Sequence, residues 1–483
     1  MKKLLFLIGI LSSGLYGASI DHIQTYSPDY LANQAQTGMI DEVSPYYNPA
    51  GLSRLDKGKY VHLGLQLANG HEKMSYKGKE HKAILKQLIP NVSLTSVDDN
   101  GAYFFAFGGL AGGGKLEYDG VSGIDVLSDL DQFKPLGVYD KGSTLTGKNL
   151  YEQATLGRAF TINDQLSVSV AGRIVHGSRN LSGTLNIGTN PTTAYKQAKA
   201  RQVAQEVSKA VDAATQGSGL SAAQIAAIKQ QKTTQALTLL QTKMNALQQN
   251  GLSGDLDSKR EAWGYGFQLG VNYKVNDKLN LAARYDSRIK MNFKAKGSEN
   301  QLQTADIIGS NIGLSTFYPQ YTINSKIRRD LPAILSVGAS YKVTDNYLVS
   351  TSANYYFNRH AKMDRVTTFG GHEHGRDYKN GWEIALGNEY KLNDKFTVIG
   401  SVNYARTGAK NSSFNDTEYA LNSVTLGAGL RYKYDDTLSI TGSVAHFIYE
   451  KEDGNFKEKY KVNDNQKYHK EITAFGLSVT KKF

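Results

Sequence analysis

From Trp263 to Tyr273 the odd positions are Trp, Tyr, Phe, Leu, Val and Tyr, and the even positions are Gly, Gly, Gln, Gly and Asn. Strict period two over so long a stretch is a β-strand with one apolar face and one wet face, long enough to cross a bilayer core when tilted. The same alternation sets Phe396, Val398, Val402 and Tyr404 on one face, and Val424, Leu426, Ala428, Leu430 and Tyr432 on one face of another segment. A soluble sandwich also alternates, but its strands usually run about five or six residues.

Between alternating segments lie short acidic turns: Val97-Asp98-Asp99-Asn100, Ile162-Asn163-Asp164-Gln165, Val275-Asn276-Asp277-Lys278, Val343-Thr344-Asp345-Asn346, Leu392-Asn393-Asp394-Lys395 and Tyr434-Asp435-Asp436-Thr437. Asn and Asp tolerate the left-handed conformations that tight hairpins demand. Six such turns pair twelve strands at one rim, and one strand at each end of the chain makes fourteen. The predicted strands are 59–69, 86–97, 101–118, 149–162, 165–188, 258–275, 278–296, 321–343, 346–362, 375–391, 395–409, 418–434, 437–451 and 466–483, with seven long connections between them. Short turns on one rim, long loops on the other and an even strand number are the pattern of a bacterial outer-membrane barrel. The expected fold is all-β, a transmembrane antiparallel β-barrel of fourteen strands with an N-terminal plug and a helical extracellular loop.

Met1-Lys2-Lys3, the apolar run Leu4 to Leu15 and Tyr16-Gly17-Ala18 follow the pattern of a secretory signal peptide, read as 1–17. That run is too short for an anchor, and no other stretch approaches the roughly 20 apolar residues of a spanning helix, so a membrane role has to use strands. A mean hydropathy of −0.42 agrees, because strands with one wet face average to a polar composition. The chain has no cysteine and relies on no disulfide. Its formal charge of +12 is scattered without a compact basic run, which points to outer-membrane lipid and lipopolysaccharide rather than nucleic acid.

Ahead of the first strand, Ser19 to Leu55 is polar and rich in turn residues, too short to fold alone, and a wall of this size needs something inside it. The chain therefore divides into a signal peptide (1–17), a hatch (18–57) and a barrel (58–483) carrying an insertion at 192–250. In the insertion Val203, Val207, Val211 and Ala214 recur at helical spacing. Ser221-Ala222-Ala223-Gln224 then reads as a capping box opening a second helix through Ile225, Ile228, Leu239, Leu240 and Leu247. Two amphipathic helices over the outer mouth are expected, as a surface decoration or as an apolar landing site. The third strand holds Phe107-Gly108-Gly109-Leu110-Ala111-Gly112-Gly113-Gly114, five glycines in seven residues, which marks a bulge or a close backbone approach.

Pro28-Asp29-Tyr30 through Ala35-Gln36, Ser44-Pro45-Tyr46-Tyr47 and Asn48-Pro49-Ala50-Gly51-Leu52 resemble the N-terminal hatch of the long-chain fatty-acid transporter (FadL-type) family of outer-membrane channels, which includes aromatic-hydrocarbon uptake channels. Asp330-Leu331-Pro332-Ala333 leading to Ser336-Val337-Gly338-Ala339-Ser340-Tyr341 looks like a strand of that family. The terminal Phe483 resembles the signal read by the barrel-assembly machinery. The insertion departs from the family in length, so no outer-mouth residue carries over.

The resemblance implies passive uptake of long-chain fatty acids or similar hydrophobic compounds across a Gram-negative outer membrane. It implies a hatch motif at Asn48, Pro49, Ala50 and Gly51, where Pro49 helps fix one path; a plain turn before the first strand is the alternative. It also implies a lateral gate at the weak third strand, at Gly108, Gly109, Gly112, Gly113 and Gly114. A fatty acid needs a place for its carboxylate. With Leu279, Leu281, Ala283 and Tyr285 facing lipid, Arg284, Asp286, Arg288, Lys290 and Asn292 face the lumen; with Val168, Val170, Gly172 and Ile174 outward, so do Arg173 and Arg179. Arginine grips a carboxylate through two parallel hydrogen bonds. Arg173, Arg284, Arg288 and Lys290 are therefore substrate-binding candidates, with Phe104 and Leu110 suited to an acyl chain; pairing among lumen charges is the alternative.

Gly142-Ser143-Thr144-Leu145-Thr146-Gly147-Lys148-Asn149 resembles a phosphate-binding loop but ends in Asn and leads into a strand. His372-Glu373-His374 lacks the spacing of a zinc helix, and no Gly-x-Ser-x-Gly elbow occurs. No catalytic residue, metal ligand or cofactor is assigned, and the chain is read as a transporter rather than an enzyme. A porin-like pore for polar solutes is an alternative that requires the hatch to leave the lumen. An adhesin or structural barrel presenting the 192–250 loop is another.

Overall fold

The computed structural model describes residues 23–131, 133–296, 301–304, 312–313, 324–362, 366–367, 373–374, 378–414 and 418–483; the signal segment 1–17 and His372 lie outside the described residues. Fourteen strands form the wall. They are β1 Gly58–Tyr76, β2 Lys79–Asp98, β3 Gly101–Tyr118, β4 Thr144–Thr161, β5 Leu166–Thr189, β6 Leu252–Lys274 and β7 Leu279–Asp286, the last continued by Asn292–Lys296. The others are β8 Lys326–Arg328 continued by Ile334–Thr344, β9 Tyr347–Tyr356, β10 Gly381–Lys391, β11 Phe396–Arg406, β12 Ser423–Lys433, β13 Leu438–Tyr449 and β14 Lys467–Lys482. Neighbours pair antiparallel, and β1 closes on β14 from Tyr60↔Lys482 to Ser75↔Lys467. Closure removes the sheet edges that lipid cannot solvate.

The alternation that opened the sequence is the one that faces outward. Trp263, Tyr265, Phe267, Leu269, Val271 and Tyr273 are exposed on the outside of β6, while Gln268 and Asn272 are buried inside. No helix among the described residues is long and apolar enough to cross a membrane. Four of the six acidic turns share one device. Asn163 Oδ1 accepts from the backbone N–H groups of Gln165 and Leu166 at 2.9 and 2.8 Å, and Asn276, Asn393 and Asp435 repeat it in their own turns. Each side chain thus closes a turn that the backbone alone leaves underbonded.

Three expectations change. Residues 70–85, expected as a long loop, are strand: β1 and β2 pair without interruption from Gly58↔Val97 to Tyr76↔Lys79. Lys77 and Gly78, with φ of 49° and 84°, close the hairpin in primed geometry. Apart from Ile84 the outward positions there are polar, so the hairpin continues past the lipid band without a repeating apolar signature. The second change is in β7, where Asp286 and Ser287 are both buried and the alternation slips, leaving Arg288, Lys290 and Asn292 exposed rather than facing the lumen. The third concerns only the apolar stripe of the insertion, which otherwise folds as expected into α-helices Thr193–Thr215 and Ala222–Asn250 with the capping box at Ser221 and Gln224 in place. Its buried stripe runs through Val211, Met244 and Leu247, and Leu239 is 55% exposed.

Residues 23–57 run inside the wall through two short helices, α1 Pro28–Ala32 and α2 Ser44–Tyr47, and a 3-10 turn Pro49–Arg54. Wall side chains satisfy the plug's irregular backbone: Ser340 and Asn280 donate to the Gly38 carbonyl at 2.8 and 3.0 Å, Ser167 to Ala50 at 2.8 Å and Ser401 to Ala32 at 2.8 Å. An enclosed backbone needs such partners. Gly38 lies so close to Gly338 on β8 that a Cβ on Gly338 would sit 2.5 Å from the Gly38 nitrogen.

Candidate functional site

The hatch motif is a buried polar knot. Asn48 Nδ2 donates to the Met39 carbonyl at 2.9 Å and to Asn272 Oδ1 at 2.8 Å, and its Oδ1 accepts from the Gly51 N–H at 3.2 Å. Asn272 and Asn280 bond each other and continue the network to Gly38. Pro49 starts the 3-10 turn, the position where a missing N–H costs nothing.

Through Tyr46 and Thr25 the plug touches an interrupted part of the wall. β2 and β3 pair from Asp98↔Gly101 to Asn91↔Gly108, then not again until Ala83↔Tyr118. Over the same stretch β3 carries two bulges against β4, between Gly109 and Ala111 and between Ala111 and Gly114. Each inserts one extra residue and tilts the strand away. Gly112 and Gly114 have φ of 110° and 68°, and a Cβ on Gly112 would meet the Asn149 carbonyl at 2.1 Å. Pro90 stands at the margin of the gap, where a strand lacking a partner on one side tolerates a residue without an N–H. A proline inside the predicted strand 86–97 is a signal for this edge that the sequence reading passed over.

Behind the gap lies an apolar cavity of about 110 Å³, bounded by Tyr26 and Leu31 of the plug, Ile89 of β2, Gly109 and Gly112 of β3 and Phe447 of β13. Among the described residues that line it, Glu72 is the one that carries a charge. Lys470 Nζ stands 3.2 Å from one oxygen of Glu72, and the Tyr118 hydroxyl donates to the other at 3.0 Å. Lys470 is completely buried and lies 4.6 Å from the centre of the Tyr419 ring. Parity along β14, with Phe475 and Leu477 outward, already places Lys470 inward.

Among the predicted binding residues, Arg173 and Arg284 meet in the lumen, on either side of Asp286. Arg173 Nη1 lies 3.7 Å from Asp286, and its Nε and Nη2 donate to Gln153 at 2.9 and 2.7 Å. Arg284 Nε lies 3.2 Å from Asp286, while its Nη1 donates to the carbonyl of Tyr46 and so fastens the plug. Arg179 pairs with Glu418 at 3.2 Å. Arg288 and Lys290 are exposed and apart from that cluster; Arg288 instead lies 3.7 Å from Asp330, which Arg328 also holds, and donates to the His360 carbonyl at 2.9 Å. Phe104 and Leu110 do point inward, but apart: Phe104 packs with Leu52 and Ala171, and Leu110 with Tyr151, Val175 and Phe293. None of the four bases lines the cavity.

Tyr46 links the plug to the gap. Its hydroxyl donates to the Phe107 carbonyl at 3.2 Å and accepts from Asn91 Nδ2 at 3.3 Å. Burial pushes this phenol well above its usual range, so it stays protonated.

Residues 142–483 match the family described as outer membrane protein transport protein (OMPP1/FadL/TodX). The chain belongs to this family. It is 27% identical over 208 residues to the 47 kDa outer membrane protein of Pasteurella multocida, covering 41% of this chain and 46% of that one. It is 22% identical over 275 residues to the long-chain fatty acid transport protein of Escherichia coli O157:H7, covering 56% and 58%. The chain spans about half the length of the curated relatives it matches. The solved structure of the P. putida toluene transporter TodX shares its fold, with a TM-score of 0.62 at 16% identity over 95% of this chain and 99% of that one. As an OMPP1/FadL/TodX barrel, the protein is an outer-membrane β-barrel of the Gram-negative type.

Proposed function

We propose that this protein is a passive channel for small hydrophobic molecules, of the long-chain fatty-acid or aromatic-hydrocarbon class, which leave sideways between β2 and β3. The supporting observation is the interrupted β2–β3 ladder with an apolar cavity directly behind it. Each methylene held in apolar surroundings is favoured by about 0.8 kcal/mol, so a sixteen-carbon chain faces on the order of 10 kcal/mol on entering periplasmic water. A side door into the bilayer avoids that step. The charge of Glu72 is already neutralised by Lys470, and Arg173 and Arg284 already hold protein acceptors, so the site selects apolar bulk more than a carboxylate. A porin-like path is disfavoured by a plug bonded to the wall at Ala32, Gly38, Ala50 and Tyr46.

The test is a reversible bolt across the gap. A Cβ on Gly109 would lie 3.2 Å from Ile89 Cγ2, close to disulfide range, and the chain has no cysteine to interfere. Ile89→Cys with Gly109→Cys is expected to block uptake of labelled oleate and labelled toluene when oxidised and to restore it under reductant. Unchanged uptake in the oxidised, folded barrel would make the route axial.

A further inference from the structure

The outer face of the closure seam carries a cluster that the transport reading does not use. β1 and β14 pair with His71 opposite Glu471 and Lys73 opposite His469. On one face of an antiparallel pair, a residue reaches both the one opposite and the one diagonal to it. His71 therefore meets Glu471 directly and His469 on the diagonal. His71 Nε2 lies 3.9 Å from Glu471 Oε2, the two imidazole rings are 6.3 Å apart centre to centre, and one ligand atom from each of the three residues falls within 4.8 Å of the others. His469 Nδ1 is enclosed and has no hydrogen-bond partner. Lys73, the nearest cation on β1, is tied to Glu80 on β2 at 2.8 Å.

Position adds to the geometry. Leu63, Leu65 and Leu67 on β1 and Phe475 and Leu477 on β14 are exposed on the same outward face. His71 stands four residues beyond Leu67, about 13 Å along the strand, which lifts the cluster from the apolar band to the polar surface layer.

We propose that His71, His469 and Glu471 bind one divalent transition-metal ion of the Zn²⁺ class and that the ion staples β1 to β14 on the outer surface. Two imidazoles and a carboxylate suit zinc, copper or nickel, whereas calcium and magnesium need shells of oxygen. Three protein ligands leave a fourth position for water. Ligand atoms sharing a tetrahedral zinc lie about 3.3 Å apart, so side-chain rotations of order an ångström complete the set. The sequence alone hides it, because His71 and His469 are neighbours only once the first and last strands meet.

The experiment uses the untagged full barrel in detergent after chelator treatment, titrated with Zn²⁺ by calorimetry. One saturable equivalent is expected, unaffected by excess Ca²⁺. Loss of one ligand in His71→Ala or His469→Ala is expected to weaken it by more than the roughly 10–100-fold that outer-shell changes cost. Zn²⁺ is also expected to raise the temperature at which the parental barrel unfolds on a heat-modifiability gel, and not that of the double variant. Should a variant not fold, diethylpyrocarbonate labelling of the parental protein decides: Zn²⁺ should protect His71 and His469 selectively. Absent saturable binding, equal binding by the folded double variant, or no protection would each overturn the site.

Discussion

The hydroxyl of Tyr46 in the plug donates to the carbonyl of Phe107 on β3 at 3.2 Å, one residue before the first glycine of the gap, while Asn91 on β2 donates to that hydroxyl at 3.3 Å. One plug side chain thereby holds both strands at the point where their ladder ends. Opening the gap and moving the plug share this contact, so they are coupled. Removing the hydroxyl in Tyr46→Phe deletes two hydrogen bonds worth about 1 kcal/mol each. The barrel should fold normally, and uptake of a labelled hydrophobic substrate should rise several-fold. A parental rate in a folded Tyr46→Phe barrel would uncouple the plug from the gap.

Plug docking should depend on pH through Asp41, outside the wall strands. Burial, with Glu42 beside it, pushes this carboxyl up to about 7. Its Oδ1 accepts from the Val43 N–H at 3.1 Å and from Ser44 Oγ at 3.2 Å, but its Oδ2 is enclosed without a partner. The raised value means the docked plug binds the proton more tightly than a freed one, whose carboxyl titrates near 4. Docking is therefore strongest below about pH 4 and weakens as pH rises from there toward 7. Hydrogen-exchange protection over residues 23–57, corrected for the intrinsic rise of exchange with pH, should be lower at pH 8 than at pH 5, and Asp41→Asn should flatten the difference. An identical pH profile in Asp41→Asn would assign the dependence elsewhere.

Much of this was legible in the chain. Side-chain parity along β6 and β12 gives the lipid face, and the Asn-Asp turns give the periplasmic rim, because both signals are local. The upper halves of β1 and β2 were not legible: the outward face there turns polar at His71, Lys73, Glu80 and Lys82, while the buried inward face mixes Glu72 and His81 with Met74, Tyr76 and Ala83, so the apolar–polar alternation fades. The inward placement of Arg288 and Lys290 failed for a related reason. Parity carries no information across an irregularity, and Asp286-Ser287 is one. The glycine run marked the weak wall, but the length of the gap depends on β2, and only Pro90 hints at it.

Arg284 holds the Tyr46 carbonyl and Asp286, so its removal should loosen the plug rather than release a carboxylate. Arg284→Gln is expected to change binding of a long-chain acid and of the matching alcohol by the same factor. A loss confined to the acid, tenfold or more for a charged hydrogen bond of about 1.5–3 kcal/mol, would instead give Arg284 the role of a ligand clamp.

Lys470 and Glu72 are a buried ion pair beside the cavity, 3.2 Å apart. Breaking such a pair from one side costs about 3–5 kcal/mol, whereas replacing both partners is often close to neutral. Lys470→Met should therefore lower the barrel's unfolding temperature sharply, and adding Glu72→Gln should recover most of it. Additive losses in the double variant would mean that the two charges are stabilised separately.

The glycines of β3 should divide into two kinds. Gly112 has a φ of 110°, and a Cβ there would lie 2.1 Å from the Asn149 carbonyl of β4, a backbone atom that cannot move without opening the β3–β4 ladder. Left-handed backbone costs a non-glycine residue about 1–2 kcal/mol before any clash is counted. Gly112→Ala should therefore weaken the wall itself, lowering barrel stability and insertion. Gly109 has no such constraint: its Cβ would meet only Ile89 Cγ2, at 3.2 Å, the end of a side chain that can rotate. Gly109→Leu should insert and fold as the parent does and yet slow uptake, since the new side chain occupies the gap between β2 and β3. Heat-modifiability and labelled uptake, measured together on both variants, separate the two effects. If Gly109→Leu folds and imports at the parental rate, the space beside Gly109 is not the way out.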